Sequence, residues 1–324
     1  MHSTVHAGGV NAVTYFPDGN RIASASDDKT VKITKAVSGE VEMELLGHEK
    51  EVKRIAISSD GKRLASGGLD RTMRVWDAST GTCEHTVDCG SNVLGLDFGP
   101  DGKCIAAGLE NGEVKIFNVD SAEFEATLSG KEVFVNQSSY AKDCQGVLCI
   151  KFSNDGAYLA VGDQDTTIRI YDGKTFALLS TLQHSTETEC YVRSVAWNRD
   201  STKLASAGGD QKVHIFAVGA DGSFEYEKGG NLNLSGHMDH VYTVAFKPDD
   251  PNILVSGAGD KKVIVWKMDG NVLWCGGDLT MTGHADSVMC LAFKPDDPNI
   301  LVTGSQDQTI KVWNLATGQQ STSN

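Results

Sequence analysis

The sequence predicts an all-β fold made of seven similar units in one chain of 324 residues. Three observations support this prediction. A polar pattern recurs at nearly constant spacing, the prolines are confined to one phase of that pattern, and short strand-like runs alternate with turns. A period of roughly 20–50 residues is typical of repeat architectures, in which each unit packs against its neighbours.

The recurring pattern is a histidine followed by an aspartate 22 to 26 residues later. The five pairs are His6–Asp28, His48–Asp70, His184–Asp210, His237–Asp260 and His284–Asp307. Two further units lack the histidine and run from Cys89 to Asn111 and from Asp143 to Asp165. The seven units lie approximately at 6–34, 48–77, 89–118, 143–172, 184–217, 237–267 and 284–314.

A turn recurs inside every unit and contains all six prolines of the chain. Proline fixes φ and lacks a backbone donor, so it belongs between strands rather than inside a central one. Each unit also carries an aspartate at this turn, with a large apolar residue three positions earlier. These aspartates are Asp18, Asp60, Asp101, Asp155, Asp200, Asp249 and Asp296.

The residue pattern of each unit predicts three or four short strands bounded by Asp-Gly or Pro-Asp turns. One such unit cannot bury both of its faces, whereas a closed ring gives every unit two neighbours. We therefore predict a single domain over residues 1–324, folded as a seven-bladed β-propeller of four-stranded antiparallel blades.

The charge balance restricts the partners. The chain has 29 basic and 43 acidic residues and a net charge of −14, which repels phosphate backbones and anionic lipid heads. No apolar stretch has the length of a membrane span. We therefore expect neither nucleic-acid binding nor membrane insertion.

The eight cysteines include no Cys-x-x-Cys pair and no zinc-type spacing. We predict free thiols, no bound metal and no cofactor. The first residues have neither the basic nor the apolar region of a signal peptide. The expected location is therefore cytoplasmic, or nuclear, and not secreted.

The pattern of Gly-His, then about 23 residues to an Asp, then Trp-Asp resembles the WD-repeat family. The best copies are Gly47-His48…Trp76-Asp77, Gly236-His237…Trp266 and Gly283-His284…Trp313-Asn314. The resemblance covers essentially the whole chain and implies a propeller that binds other proteins. It also implies that a strand from a chain terminus completes the last blade. Family habit favours residues 1–5, and residues 319–323 are the alternative.

The resemblance further implies that a hydrogen-bonded set of Trp, Ser or Thr, His and Asp braces each blade. Three sets are complete: Trp76–Ser66–His48–Asp70, Trp266–Ser256–His237–Asp260 and Trp313–Thr303–His284–Asp307. A catalytic triad is expected once, in a cleft, whereas this set occurs three times in equivalent places. We interpret it as structural. The third and fourth units have lost it, so we expect them to be the least rigid blades.

Family members contact partners through residues three and five after the His and through the residue before the Asp. The loop after His184 is four residues longer than the others, so its equivalent positions are Tyr191 and Arg193. With this insertion allowed for, and with the equivalent positions used in the units that lack the His, the pattern gives ten candidate partner-binding residues: Tyr191, Arg193, His240, Tyr242, Met289, Leu69, Leu94, Leu148, Lys53 and Glu110. Aromatic residues and arginine are frequent interface anchors. Alternatively, these residues only line the entrance of the ring.

The leading functional hypothesis is a non-enzymatic scaffold, a monomeric propeller that joins other proteins or peptides in a larger hetero-complex. The sequence has no P-loop, Gly-x-Ser-x-Gly motif, metal cluster or cofactor fingerprint. The alternative is a reader of a short or modified peptide at the top mouth of the central channel. A propeller enzyme and a ubiquitin-ligase adaptor are weaker alternatives, since inward-facing catalytic groups and a Trp-Asp-x-Arg motif are both missing from the sequence.

Overall fold

The computed structural model describes residues 6–129, 146–185, 190–226, 234–268, 272–274, 281, 283–317 and 319–320. Every regular element in these ranges is a β-strand, and the strands form seven antiparallel sheets. The all-β prediction and the seven-bladed propeller are confirmed. No helix in the described ranges has the length and apolar character needed to cross a membrane.

The first four sheets follow the chain without crossovers. Blade one consists of β1 (Val10–Tyr15), β2 (Arg21–Ser26), β3 (Val31–Lys35) and β4 (Val41–Leu45). Blade two consists of β5 (Val52–Ile57), β6 (Arg63–Gly68), β7 (Thr72–Asp77) and β8 (Cys83–Asp88). Blade three consists of β9 (Val93–Phe98), β10 (Cys104–Leu109), β11 (Glu113–Asn118) and β12 (Phe124–Ser129). Blade four consists of β13 (Val147–Phe152), β14 (Tyr158–Asp163), β15 (Thr167–Asp172) and β16 (Leu178–Gln183).

The last three blades repeat this order, and blade five has an outer strand in two pieces that both pair with its third strand. Blade five consists of β17 (Val192–Trp197), β18 (Lys203–Gly208), β19 (Lys212–Val218), β20 (Phe224–Tyr226) and β21 (Leu234–Ser235). Blade six consists of β22 (Val241–Lys247), β23 (Asp250–Ala258), β24 (Val263–Lys267) and β25 (Val272–Trp274). Blade seven consists of β26 (Val288–Lys294), β27 (Asp297–Ser305), β28 (Ile310–Asn314) and β29 (Gln319–Gln320).

In the turn between the second and third strands of each blade, the residue directly after the Asp or Asn of the repeat pattern has a left-handed backbone conformation, with positive φ. In blade two this residue is Arg71, with φ of 66°. Asp70 stabilises the turn because its Oδ1 accepts a hydrogen bond from the Thr72 N–H at 3.0 Å. The equivalent left-handed residues are Lys29, Gly112, Thr166, Gln211, Lys261 and Gln308.

The first strands of the blades stand side by side and line a central channel, with β26 packed against β1 to close the ring. Because consecutive strands are antiparallel, the loop before the first strand and the turn after the second open on the same side. We call this side, which carries His48 and Asp70 in blade two, the top face. The turns at Asp18, Asp60 and their equivalents lie on the opposite side, the bottom face.

The hydrophobic core is divided among the interfaces between blades. In one cluster, Ala12 and Phe16 of blade one pack with Leu64 and Trp76 of blade two. Another cluster joins Val10 of blade one to residues of blade seven and seals the ring. Since burial of apolar surface is the main favourable term in folding, each blade depends on both neighbours.

The fourth strand of the last blade includes β29 near the C-terminus. Gln320 lies opposite Trp313, and Gln319 lies opposite Asn314. Residues 1–5, which family habit favoured for this strand, lie outside the described residues. Of the two alternatives, the C-terminal segment is therefore the one with visible pairing.

Candidate functional site

The four-residue braces of blades two, six and seven have the hydrogen bonds expected of the set. In blade two, the Trp76 indole donates to Ser66 Oγ at 2.8 Å. His48 contacts Ser66 Oγ through Nε2 at 2.7 Å and Asp70 Oδ2 through Nδ1 at 2.8 Å. The equivalent indole bonds are Trp266 to Ser256 at 2.7 Å and Trp313 to Thr303 at 2.8 Å. His237–Asp260 and His284–Asp307 complete the two sets at 3.0 and 2.9 Å.

In the brace of blade two, the surroundings favour a neutral imidazole next to an ionised carboxylate. Burial lowers the pKa of His48. Burial opposes ionisation of Asp70 as well, but hydrogen bonds from the Thr72 and Glu49 N–H groups and the nearby His48 lower the pKa of that carboxyl. Every buried polar atom of this set therefore has a partner, which suits a structural element.

Blade five has a different brace. His184 contacts Ser206 Oγ through Nδ1 at 2.8 Å instead of through Nε2, and its Nε2 lies 3.3 Å from Asp210. His214 Nε2 lies 2.6 Å from the second oxygen of Asp210. Sequence reasoning missed His214. The signal was its position on the third strand, where most other blades carry lysine or arginine: Lys32, Arg74, Lys115, Arg169 and Lys311.

His184, Asp210 and His214 are also the group whose nitrogen and oxygen atoms lie within 4.8 Å of one another and could hold a metal ion. Ligands of a tetrahedral zinc ion at 2.0–2.1 Å lie about 3.3 Å apart. The 2.6 Å distance between His214 Nε2 and Asp210 Oδ2 is that of a direct hydrogen bond. The geometry therefore fits a hydrogen-bonded brace better than a metal centre.

Blades three and four replace the brace with cations from their third strands. In blade three, Lys115 Nζ donates to the Cys89 carbonyl at 2.8 Å. In blade four, Arg169 pairs with Asp163 and with Asp165, the latter at 2.7 Å. Burial raises the pKa of Asp163, although the charge of Arg169 opposes this. Asp143, which stands at the histidine position of blade four, lies outside the described residues.

Four of the predicted partner-binding residues come together at the top mouth of the channel. The Arg193 guanidinium carbon lies 5.5 Å from the ring centre of Tyr191 and 5.6 Å from that of Tyr242. The rings of His240 and Tyr242 are 6.4 Å apart. We call Tyr191, Arg193, His240 and Tyr242 the mouth cluster. It spans blades five and six because Tyr191 and His240 occupy one position of adjacent repeats, and Arg193 and Tyr242 occupy the position two residues later.

The other predicted residues lie on the remaining blades, and two are engaged in polar pairs. Lys53 forms an ion pair with Asp27 of blade one at 2.6 Å. Glu110 is exposed and accepts a hydrogen bond from Asn92 at 2.8 Å. Leu148 is buried, whereas Leu69, Leu94 and Met289 are half-buried.

Arg54 is a channel residue that the sequence analysis missed. Its Nη2 donates to the Leu148 carbonyl of blade four at 3.0 Å, and its Nη1 donates to the Lys53 carbonyl at 2.9 Å. The side chain thus reaches across the channel from blade two. The available signal was size, because the equivalent positions carry small residues: Ala12, Gly95, Cys149, Ser194, Thr243 and Cys290.

Comparison with known proteins agrees with this architecture. The family model described as "WD domain, G-beta repeat" matches residues 2–34, 39–77, 81–118, 135–172, 176–217, 231–267 and 277–314. "WD repeat and SOCS box-containing protein 1" of Danio rerio is 33% identical over 57% of this chain and 34% of its own length. "APC/C activator protein CDH1" of Saccharomyces cerevisiae is 26% identical over 60% of this chain and 30% of its own length.

A shorter match, to "THO complex subunit 3" of Arabidopsis thaliana, is 37% identical over 23% of each chain. The alignments cover about a third or less of the curated relatives, so these relatives share repeats with the chain but not a whole protein. Each matched segment spans the first three strands of one blade, so the seven segments correspond one to one with the seven blades, although several also include the outer strand of the preceding blade. The chain belongs to the WD domain, G-beta repeat family.

Proposed function

We propose that this chain is a non-enzymatic scaffold that docks partner proteins, with the mouth cluster on the top face as its principal docking surface. WD-repeat homologues imply a protein-interaction propeller, and propellers of this family are generally non-catalytic. Two relatives are named "THO complex subunit 3" and "APC/C activator protein CDH1". These names are consistent with a role of this chain in a larger protein assembly.

The observation that supports the top mouth is the position of the Arg193 guanidinium over the rings of both Tyr191 and Tyr242, at cation–π distance. Tyrosine and arginine are enriched among residues that dominate binding energy, and such residues cluster near the centre of interfaces. Here they lie at the rim of the channel, where several blades present side chains to one partner.

A second candidate function is that of a reader, in which the mouth cluster binds one short peptide and other faces bind nothing. The same stacked group favours it, because a compact pocket of aromatic rings around a cation is suited to a single side chain of a ligand. The two candidates differ in the number of docking surfaces.

Affinity purification of the full chain from cells, followed by mass spectrometry, tests the proposal and separates the candidates. The test variant is Tyr191→Ala/Tyr242→Ala, and the matched control is Lys62→Ala/Arg199→Ala on the bottom face. A scaffold that uses the mouth loses one subset of partners in the test variant and keeps the rest. A reader loses all of them. If the test variant keeps every partner, the mouth is not a docking surface and the proposal is wrong.

A further inference from the structure

Arg193 has polar groups that the described residues do not satisfy. Its Nε is buried and has no hydrogen-bond partner, and within the described ranges its guanidinium forms no ion pair. A guanidinium carries five N–H donors. An unsatisfied buried donor costs about 1–3 kcal/mol, and more when it is charged. A group kept in this state is prepared for an acceptor that the described residues do not supply.

Arg54 places a second guanidinium near the first. Its two described hydrogen bonds go to backbone carbonyls, which are neutral. Burial lowers the pKa of Arg54, and the positive charge of Arg193 lowers it further. Two arginines therefore face the same part of the channel without a described carboxylate between them.

This arrangement is unusual in a chain with 43 acidic and 29 basic residues. Two described carboxylates at the top ends of other blades are engaged in ion pairs of their own: Asp27 pairs with Lys53, and Asp163 pairs with Arg169. Among the described residues, Arg193 and Arg54 thus carry positive charge at the mouth without an ion-pair partner, while the chain as a whole is acidic. A local field of this kind selects an anionic group from a ligand.

The apolar surroundings of Arg193 further favour binding of an anionic group. The rings of Tyr191 and Tyr242 lie at cation–π distance from the guanidinium of Arg193, and Leu148 is buried beside the channel. In such apolar surroundings, a charge-assisted hydrogen bond is stronger than in water. Because the N–H groups of arginine lie in the guanidinium plane, stacked rings leave them available to an acceptor at the edge.

We propose that Arg193, held between Tyr191 and Tyr242 and supported by Arg54, forms an anion subsite for an Asp or Glu side chain in an extended segment of a partner protein. This inference rests on the proposed function, since the same mouth must dock a partner. A carboxylate fits the planar guanidinium through two parallel hydrogen bonds. A phosphate carries a charge of about −1.5 to −2, so the net charge of −14 repels it more strongly than a carboxylate.

The test selects linear peptides from a random display library with the full chain as bait. Four forms are compared: the wild type, Arg193→Gln, Tyr191→Ala/Tyr242→Ala and Arg199→Gln. The last is a matched control that removes the same charge from an exposed residue on the bottom face. The wild type and the control are expected to enrich Asp or Glu at one fixed position, whereas Arg193→Gln no longer enriches it.

A selected peptide then allows a double-mutant cycle. Replacing its acidic residue by the matching amide is expected to weaken binding to the wild type about tenfold or more, the range for a charge-assisted hydrogen bond. The same replacement should change binding to Arg193→Gln by less than about twofold. Arg193→Lys keeps the positive charge but loses the pair of parallel N–H donors of the guanidinium. It should therefore weaken peptide binding by an intermediate amount. Circular dichroism and thermal midpoints verify that each variant is folded.

The outcomes separate this inference from the proposed function. If peptides are lost in Tyr191→Ala/Tyr242→Ala but Arg193→Gln selects the same acidic residue, the docking surface stands and the anion subsite is wrong. If neither variant changes the selection, or no peptide is enriched at all, both are wrong. If a phosphoserine in place of the acidic residue binds more tightly than the carboxylate, the assignment to Asp or Glu is overturned.

Discussion

Blades two and three are neighbours with the same four strands of six residues, yet their top ends are held in different ways. Blade two has the complete set of Trp76, Ser66, His48 and Asp70. In blade three, the equivalent positions carry apolar residues and an exposed Asn111, and Lys115 supplies one bond to a backbone carbonyl. The polar brace is therefore not a condition for forming a blade.

The apolar contacts explain why blade three still folds. One cluster joins Met73 and Val75 of blade two to Val93, Leu109 and other buried residues of blade three. Since each interface is built from both neighbours, a blade without a brace is held by the blades beside it. The brace therefore contributes local stability at the top face, where the mouth cluster lies.

The largest expected effect comes from the aspartate of the brace. Asp70→Ala removes the acceptor for His48, for the N–H groups of Glu49 and Thr72 and for the Thr72 hydroxyl. The loss in free energy of unfolding should be about 3–5 kcal/mol, because buried partners are left unpaired. The matched change Asn111→Ala in blade three should cost less than about 0.5 kcal/mol. Urea denaturation followed by circular dichroism measures both, and equal losses would contradict a structural role for the brace.

A smaller loss is expected from the cation of blade four. Arg169→Met leaves Asp163 buried without its ion-pair partner, and the expected cost is about 3 kcal/mol. Removing both charges in Arg169→Met/Asp163→Val should recover most of that loss, since an apolar pair replaces a buried ion pair at little cost. Thermal unfolding of the single and double variants gives the comparison. A double variant as unstable as the single one would mean that Arg169 acts through packing alone.

The periodic features were predictable because each depends on residues within one repeat. The turn aspartates follow from spacing, and the three complete braces follow from the resemblance to the WD-repeat family applied to residues at that spacing. The mouth cluster was predictable as a group, because Tyr191 and Tyr242 occupy nearly the same phase of adjacent repeats.

Features that depend on ring closure could not be predicted in the same way. Arg54 contacts the carbonyl of Leu148, 94 residues further along the chain and two blades away. No local pattern specifies that pairing. His214 was hidden for another reason, since its contact with Asp210 is additional to the contact that the repeat assigns to His184.

A moderate loss in free energy of unfolding is expected when the tryptophan of a complete brace is replaced by phenylalanine, the residue that blade five has at this position. Trp266→Phe removes the indole N–H that donates to Ser256 Oγ and leaves His237 in place. The expected cost is about 1–2 kcal/mol, the sum of one net hydrogen bond and a small cavity. Trp76→Phe and Trp313→Phe should cost the same within error, because their bonds are equivalent. Unequal losses in the three variants, measured by urea denaturation, would show that the braces are not interchangeable.

The smallest expected effect separates the two blades that lack the brace. The sequence predicts that blades three and four are both the least rigid, whereas the structure gives blade four a buried cation with two carboxylates. Blade three has only the single bond from Lys115 to the Cys89 carbonyl among the equivalent contacts described. Amide hydrogen exchange should therefore be faster in β11 than in β15, by about threefold to tenfold. Peptide-resolved exchange of the full chain measures this, with β7 of blade two as the protected reference. Equal protection in β11 and β15 would show that the apolar interfaces alone set the rigidity of these blades, and that the ion pairs of Arg169 add nothing to it.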